Sequence, residues 1–247
     1  MALTNRKNLL KSLHVELPHG APFDVHQLKA MGISSALASH YLRAGWVGRL
    51  GRGVFSFPKD ELQRDACLLF LAGRHSGLHV GGKTALAWRG VRHNLSAVER
   101  LCLWGSVTGK LPEWFTERFP SDYVARKLFA GKLPVDFGLQ PLPENPSGPL
   151  VSVPERALLE MLSEVGIRQG VEEARNIMEG IRSLRMDVLT PLLKNCLRIK
   201  VVRLCVQWSE ELGLNWAPEA RKAAQRKMGK HRWMTRLKDG RVLILKP

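Results

Sequence analysis

The residues with the clearest chemical pattern are 77–84, GLHVGGKT, which match the P-loop motif G-x-x-x-x-G-K-[ST] at every position. In a P-loop, backbone N–H groups surround the phosphates, the lysine (here Lys83) reaches the terminal phosphates, and the threonine (here Thr84) holds magnesium. The motif requires a buried strand that runs directly into its first glycine. Here residues 73–76 intervene, and the apolar run 62–72 before them has the pattern of a helix. A P-loop enzyme that uses Lys83 and Thr84 is therefore an alternative interpretation and not the first.

Histidines and cysteines provide the next candidates for chemistry. His75 and His79 are four residues apart, with Cys67 two helical turns earlier. A metal site needs three or four convergent ligands, and Gly77 interrupts any helix that would align the two histidines. We therefore predict no metal site.

The remaining reactive residue types form no recognisable catalytic set. Ser152, Glu155 and Glu160 lack the spacing of an acid, base and nucleophile, so we predict no catalytic residues, no cofactor and no enzymatic activity. Cys196 and Cys205 flank an apolar run, and we expect buried thiols there. None of the four cysteines is in CxxC spacing, which indicates a reducing, cytoplasmic environment.

The charge distribution points to nucleic acid. The chain of 247 residues has a net charge of +16, with 45% hydrophobic residues, enough for a folded core. Residues 1–60 carry 8 basic and 3 acidic side chains (+5), residues 61–193 carry 16 and 15 (+1), and residues 194–247 carry 14 and 4 (+10). No apolar stretch approaches the roughly 20 residues of a membrane span, so we expect no membrane partner.

The elements that would present the first basic segment resemble a helix-turn-helix. Asp24 precedes apolar residues at helical spacing, Gly32 ends that helix, and a third helix begins near Ser34. Leu37, Tyr41 and Leu42 form its apolar stripe. Small polar residues and a basic residue on the opposite face would let the helix enter a major groove. The predicted DNA-contacting residues of this helix are Ser34, Ser35, Ala38, Ser39, His40 and Arg43.

A β-hairpin is predicted directly after this helix. Two β-prone runs flank the sequence GRLGRG at residues 48–53, which is typical of a turn. A hairpin after a recognition helix is a wing, and Arg49 and Arg52 at its tip would reach phosphates or the minor groove. A winged helix can also dock protein or RNA, so an adaptor or RNA-binding role remains a further alternative.

The C-terminal region has mixed α and β patterns and a basic end. Residues 141–149 are loop-like and are a candidate internal boundary, near 141–150. Residues 154–213 have helical periods, with breaks near 166–170 and at Pro191. A second basic site is predicted near Trp233, because cations beside an aromatic ring suit RNA or single-stranded nucleic acid. Its residues are Arg221, Lys222, Arg226, Lys227, Lys230 and Arg232.

Three segments resemble the AbiEi family of antitoxins from type IV toxin–antitoxin modules, which are linked to phage abortive infection. The first runs from residue 23 through FDVHQL, MGIS and LRAGW to the hairpin, the second is residues 80–91, and the third is residues 151–162. The resemblance extends over most of residues 4–165.

The resemblance implies a two-part, cytoplasmic protein without enzymatic activity. Its first part would bind inverted repeats in its own promoter and repress the operon. Its second part would counteract a nucleotidyltransferase-like toxin without a stable complex. The predicted fold is α+β: an N-terminal winged helix-turn-helix over residues 1–60, then a mixed α/β C-terminal antitoxin domain over residues 61–247.

Overall fold

The computed structural model describes residues 2–91, 100–229, 232–236, 240 and 242–246. The chain forms two compact units. The first unit comprises residues 1–74 and 110–120, and the second comprises residues 75–109 and 121–247. Both units contain helices and strands, so the protein is mixed α+β as predicted.

The first unit begins with three helices and three strands in an alternating order. The elements are α1 (Ala2–Glu16), β1 (Phe23–Asp24), α2 (Val25–Ala30), α3 (Ser35–Arg43), β2 (Gly48–Gly51) and β3 (Val54–Ser56). The strands form an antiparallel sheet in the order β1-β3-β2. Phe23 lies opposite Phe55, and Arg49 lies opposite Phe55 on the other side, with an irregularity in register between Arg49 and Gly51.

The predicted helix boundaries of α2 and α3 are confirmed, and local hydrogen bonds explain them. The Asp24 carboxylate accepts the backbone N–H groups of His26 and Gln27, and the Gln27 side chain accepts the N–H of Asp24, which completes a capping box. Gly32 adopts φ of 78°, a left-handed conformation that side chains disfavour, between the two helices. The Ser34 hydroxyl accepts the Leu37 N–H and begins α3.

A single apolar cluster holds these elements together. It contains residues from every helix and from the hairpin, and ten of its members are buried: Leu13, Leu17, Phe23, Leu28, Ile33, Ala38, Tyr41, Val47, Phe55 and Phe57. The Phe23 ring stacks on Phe55, with centroids 6.3 Å apart, and contacts Phe57 at 5.2 Å. Burial of these side chains fixes α3 against the sheet and leaves its opposite face exposed.

The first unit extends beyond the predicted boundary at residue 60. It includes helix α4 (Arg64–Ala72), which begins after Gln63. It also includes residues 110–120 with the short helix α6 (Glu113–Thr116), where Trp114 lies edge-on to Phe70 at 6.3 Å. The Trp114 ring also lies 3.4 Å from the place a side chain would occupy at Gly51, so a larger residue there would press on the indole.

The second unit contains a five-stranded mixed sheet in the order β6-β5-β4-β8-β7. Its strands are β4 (His79–Val80), β5 (Leu101–Gly105), β6 (Ser121–Ala125), β7 (Leu139–Gln140) and β8 (Val151–Ser152). Strands β4 and β8 are parallel, as are β5 and β6, and the other pairs are antiparallel. Residues 141–150 connect the paired strands β7 and β8, so the loop-like sequence lies inside one unit.

Helices cover this sheet and surround one buried helix, α7 (Pro154–Glu164), in which residues 155–164 are all buried. The others are α5 (Gly82–Trp88), α8 (Val171–Glu179), α9 (Met186–Asn195), α10 (Ile199–Glu211) and α11 (Ala217–Ala224). The predicted break at Pro191 is wrong, because Pro191 lies inside α9. Pro191 removes one backbone hydrogen bond, which the buried Leu189, Leu192 and Leu193 outweigh.

The C-terminal residues form an antiparallel hairpin of β9 (Trp233–Arg236) and β10 (Val242–Leu245). Residues 241–247, RVLILKP, have the sequence pattern of a strand, and β10 confirms that prediction. Leu245 is fully buried and the Lys246 N–H donates to the Gln207 side chain of α10. Every helix in the described part of the chain is too short or too polar to cross a lipid bilayer.

Candidate nucleic-acid interface

Helix α3 presents a continuous exposed face made of small and basic residues. Ser35, Ser39, His40 and Arg43 are all exposed, as the sequence predicted. Ala36 lies on the same face, one turn before Ser39 and His40, and sequence reasoning missed it. Helical spacing could have predicted its exposure, because residues at intervals of three and four share one face of a helix and the exposed residues are 35, 36, 39, 40 and 43. The face therefore carries short side chains that would allow another molecule to approach the backbone.

Two residues predicted on this face have other roles. Ala38 is 7% exposed and belongs to the buried cluster, so its predicted place on the DNA-contacting face is wrong. Ala38 lies three residues before the buried Tyr41, and residues at that spacing share one side of a helix. Ser34 is exposed, but its hydroxyl already accepts the Leu37 N–H as the cap of α3. Its side chain therefore has a structural role in starting the helix.

The hairpin after α3 is tighter than predicted. Gly51 pairs with Val54, so Arg52 and Gly53 form the turn and Gly53 takes φ of 70°. Arg52 is exposed in that turn, as expected for a hairpin tip. Arg49 is also exposed but lies within β2, opposite Phe55, and not at the tip. The two arginines are thus spread along the hairpin.

The cations on α3 and the hairpin are electrostatically unsatisfied within the described residues. Arg43, Arg49 and Arg52 make no ion pair or side-chain hydrogen bond there. By contrast, Arg64 pairs with Asp65 at 2.9 Å and Arg74 pairs with the helix cap Asp24. Burial tends to raise the pKa of Asp24, but the N–H groups of Gln27 and His26 and the Arg74 guanidinium lower it below its ordinary value. The Asp24 carboxylate is therefore already engaged by the cap of α2 and by Arg74. Arg43, Arg49 and Arg52 have no such partner in the described residues and remain available to an anion.

The P-loop-like residues are built into the second unit as structure. Strand β4 occupies His79 and Val80, inside the motif and not before it. Lys83 pairs with Glu173 at 2.8 Å, and the Thr84 hydroxyl accepts the Cys102 N–H at 2.9 Å. The Gly82 N–H, which would face a phosphate in a P-loop, donates to the Glu160 carboxylate at 3.1 Å. A carboxylate of the chain itself takes the place of the anion, so the geometry does not fit nucleotide binding at this motif.

Glu160 is the centre of a buried polar cluster that sequence reasoning did not identify. The residue is fully buried, and four donors reach its carboxylate. Oε1 accepts from His79 Nε2 at 3.0 Å and Arg156 Nε at 2.8 Å, and Oε2 accepts from Ser152 Oγ at 2.8 Å and the Gly82 N–H. Burial alone would raise the pKa of Glu160, but His79 and Arg156 outweigh it and lower that pKa to about 2.

Both ring nitrogens of His79 are within hydrogen-bond distance of an oxygen atom. Nδ1 lies 2.7 Å from the Gly77 carbonyl oxygen and Nε2 lies 3.0 Å from the Glu160 carboxylate. The ring is therefore held between β4 and α7 as part of the buried cluster around Glu160.

The remaining candidate residues either have a structural role or do not come together as a site in the described part of the chain. Among the residues that the structure describes, no three His, Cys, Asp or Glu side chains converge in a way that could hold a metal ion. Cys196 and Cys205 are buried as predicted, and all four cysteines are free thiols. Burial raises the pKa of Cys67 to about 12 and that of Cys196 to about 11, which leaves both thiols unreactive near neutral pH.

The structure brings together only part of the predicted second basic site. Lys222, Arg226 and Lys227 line an open groove of about 750 Å³, where they meet Lys194 of α9. Arg221 instead forms a two-pronged ion pair with Glu210. Arg232 is exposed beyond α11, and Lys230 lies outside the described residues. Sequence reasoning missed Lys194, which is distant in the chain.

This chain is similar to known protein families and to a protein of known structure. Residues 6–97 match the family described as "Transcriptional regulator, AbiEi antitoxin N-terminal domain", and residues 98–244 match "Transcriptional regulator, AbiEi antitoxin, Type IV TA system". No curated protein matches the sequence. The fold is similar to the crystal structure of the RV2827C protein from Mycobacterium tuberculosis, with a TM-score of 0.59 and 14% identity over 92% of this chain and 83% of that one.

The family matches extend over nearly the whole chain and agree with the resemblance seen in its sequence. The first match ends at residue 97, so it includes the P-loop-like residues as well as α3 and the hairpin. The structural similarity, at its low identity, supports the fold alone. The chain belongs to the AbiEi family of antitoxin transcriptional regulators from type IV toxin–antitoxin systems.

Proposed function

We propose that the first unit is a winged helix that binds double-stranded DNA, with α3 in the major groove and the β2–β3 hairpin as its wing. The element order α1-β1-α2-α3-β2-β3, with β1 paired to the second strand of the hairpin, supports this assignment. Ser35, Ser39, His40 and Arg43 would meet base edges or phosphates. Arg49 and Arg52 would meet the phosphate backbone or the adjacent minor groove.

The observation that carries this proposal is the set of exposed, unpaired arginines on α3 and the hairpin. A guanidinium without a carboxylate partner on a face of short side chains suits a phosphate, which it can bind through two parallel hydrogen bonds. Arg43, Arg49 and Arg52 meet this description among the described residues. A face that served only solubility would not need the short side chains of Ser35 and Ser39 beside them.

The biological role that fits this site is autorepression. The chain would bind inverted repeats in the promoter of its own operon, with one copy on each half-site. The second unit would counteract a nucleotidyltransferase-like toxin, without forming a stable complex with it. We propose no enzymatic activity, because the P-loop-like residues serve the packing of the second unit. The four free thiols favour the cytoplasm as the place of action.

Binding of the full chain to its own promoter DNA tests the DNA-binding role. Fluorescence anisotropy would compare a duplex from that promoter with a scrambled duplex and with RNA. We expect the promoter duplex to bind at least about 1,000-fold more tightly than the scrambled one. Equal affinity for RNA and the promoter duplex would instead support the RNA-binding alternative.

A matched pair of triple variants then localises the site. Arg43→Ala, Arg49→Ala and Arg52→Ala together should abolish detectable promoter binding. The control is Arg168→Ala, Arg175→Ala and Arg221→Ala, which removes the same charge from arginines that pair with Glu164, Glu211 and Glu210. The control should bind nearly as tightly as the unaltered chain. Similar losses in both variants would mean that net charge, and not the winged-helix face, governs binding.

The basic groove of the second unit is a candidate site for the second role. Lys194, Lys222, Arg226 and Lys227 would hold the phosphate backbone of a nucleic acid. In cells that express the cognate toxin, the triple variant of the first unit should still restore growth although its promoter is derepressed. Replacement of Lys222 and Arg226 by alanine should have the reverse effect. If loss of promoter binding always abolishes rescue, the two roles are not separate.

A further inference from the structure

A cavity of about 330 Å³ lies inside the second unit, beside the Glu160 cluster. This size is within the range of small-molecule sites, which are mostly apolar with a few well-placed polar groups. Its lining is largely apolar and aromatic, from Leu128, Phe129, Leu133, Val135, Phe137 and Leu192. The proposed DNA-binding role makes no use of this cavity.

Apart from the Ser106 hydroxyl, which can donate or accept, the polar side-chain groups of the cavity that remain available are donors. Trp104 is 3% exposed and lines the cavity, and its indole N–H has no acceptor within the described residues. A tryptophan indole N–H can donate to an acceptor that enters such a site. Arg156 uses Nε on Glu160 and Nη1 on the carbonyls of Val135 and Phe137, which leaves Nη2 without an acceptor in the same part of the chain. Lys127 is exposed at the cavity and has no ion pair there.

The carboxylate oxygens at the cavity already accept hydrogen bonds from groups of the protein itself. Glu160 is the one carboxylate among the described residues that line the cavity, and four donors occupy its two oxygens. A carboxylate has about four lone-pair sites, so Glu160 has no capacity for a further donor. His79 also has both ring nitrogens engaged. A ligand that entered the cavity would therefore have to supply acceptors and negative charge.

We propose that this cavity binds a small organic anion with an aromatic or apolar body. The carboxylate, phosphate or sulfonate of the ligand accepts hydrogen bonds from Arg156 Nη2, Trp104 Nε1 and Lys127 Nζ. Its body packs against Phe129 and the neighbouring leucines. The Arg156 guanidinium carbon already lies 5.5 Å from the Phe129 ring centroid. The cation is therefore next to the ring, at the place where the acidic group of the ligand would join its apolar part.

Two fluorescent probes with the same aromatic body test this proposal on the full chain. Anilinonaphthalenesulfonate has one sulfonate, and N-phenylnaphthylamine is the same molecule without it. Titration should give saturable one-to-one binding of the sulfonate, at least about tenfold tighter than the neutral probe, as expected for one charge-assisted hydrogen bond or more. Equal affinities for the two probes, or no saturation, would overturn the proposal.

Variants at the cavity and beside it locate the binding. Lys127→Glu should weaken the sulfonate about tenfold or more and leave the neutral probe almost unchanged. Its matched control is Lys132→Glu, an exposed lysine five residues on that does not line the cavity. Trp104→Phe keeps an aromatic ring at this position but removes the N–H, and it should weaken the sulfonate more than the neutral probe.

A third variant narrows the cavity without removing any of its charged groups. Gly131 lies on the lining and is exposed, and a Cβ added there would meet only Lys127 Nζ, at 3.8 Å. Gly131→Trp should therefore fold normally and reduce the affinity for both probes. Retention of full affinity in Gly131→Trp, or equal effects of Lys127→Glu and Lys132→Glu, would place the probe elsewhere and refute the assignment. Thermal unfolding of each variant separates these outcomes from loss of the fold.

Discussion

The two units use arginine in different ways. In the first, Arg43, Arg49 and Arg52 are exposed on α3 and the hairpin without a carboxylate in the described residues. In the second, arginines repeatedly meet glutamates: Arg156 with Glu160, Arg185 with Glu155, Arg126 and Arg168 with Glu164, Arg175 with Glu211 and Arg221 with Glu210.

The contrast explains why total charge says little about where nucleic acid binds. A paired arginine has its hydrogen bonds and its charge satisfied by the fold, whereas an exposed, unpaired one is free to replace counterions on a phosphate. The buried pair Arg156–Glu160 is an extreme case, because loss of either partner leaves an uncompensated charge in the core. Substitutions at paired and unpaired groups should therefore differ in whether they lower stability or DNA binding.

The largest effect is expected from Glu160→Gln. The amide has nearly the same shape, but it removes the charge that compensates His79 and Arg156, and its NH₂ group faces other donors. We expect a loss of about 3–5 kcal/mol in the free energy of unfolding, measured by urea denaturation. Glu173→Gln, at the half-exposed pair with Lys83, is the control and should cost under about 1 kcal/mol. A similar small cost at both positions would show that the buried cluster contributes little to stability.

Acidification should reveal the same cluster without a mutation. The pKa of Glu160 in the folded protein is about 2, below its ordinary 4.5, so the unfolded chain takes up the proton first. The stabilisation is therefore complete above about pH 4.5 and is lost as the pH falls towards 2, by about 3 kcal/mol in total. Urea denaturation at several pH values measures this loss. Glu160→Gln should lack this component, and an unchanged pH profile in that variant would contradict the assignment.

A smaller effect is expected on the sequence preference of α3. Ser39→Ala and Arg43→Ala should each cost about 1–3 kcal/mol of promoter binding and relax the preference at one position of the operator. Binding to a library of operator variants measures this change. Ala38→Ser, a buried neighbour, is the control and should leave the preference unaltered. Equal losses on promoter and scrambled DNA would mean that α3 does not read bases.

The smallest effect should come from the hairpin. Arg49→Ala with Arg52→Ala should weaken promoter and scrambled DNA alike, because phosphate contacts are nearly independent of sequence. The slope of log K against log salt concentration should fall by about 2 in magnitude, since two phosphate contacts are lost. Arg221→Ala, which removes an arginine paired with Glu210, should leave the slope unchanged. An unaltered slope in the double variant would show that the hairpin does not touch DNA.

Much of the local structure was predictable because short-range rules produce it. The cap at Asp24, the glycine turn at Gly32, the start of α3 and the final strand follow from side-chain hydrogen bonds and hydrophobic spacing within a few residues. The helix through Pro191 was not predictable in this way, since packing of the leucines around it outweighs the local penalty. The burial of Ala38 and the exposure of Ala36, by contrast, follow from helical spacing to Tyr41 and to Ser39, so the sequence could have supplied them.

The sequence by itself determined the kind of protein: the basic ends, the helix-turn-helix pattern and the ordered motifs of the family are properties of the linear chain. It could not determine which charges are free, because a pair such as Arg185 and Glu155 joins residues 30 positions apart. The same holds for the P-loop-like residues. Their pattern permits a nucleotide site. In the folded protein, however, the Gly82 N–H donates to the carboxylate of Glu160 in α7, 78 residues further along the chain, and is not free to bind a phosphate. Electrostatic pairing acts over a few ångströms in space, so the tertiary structure alone decides it.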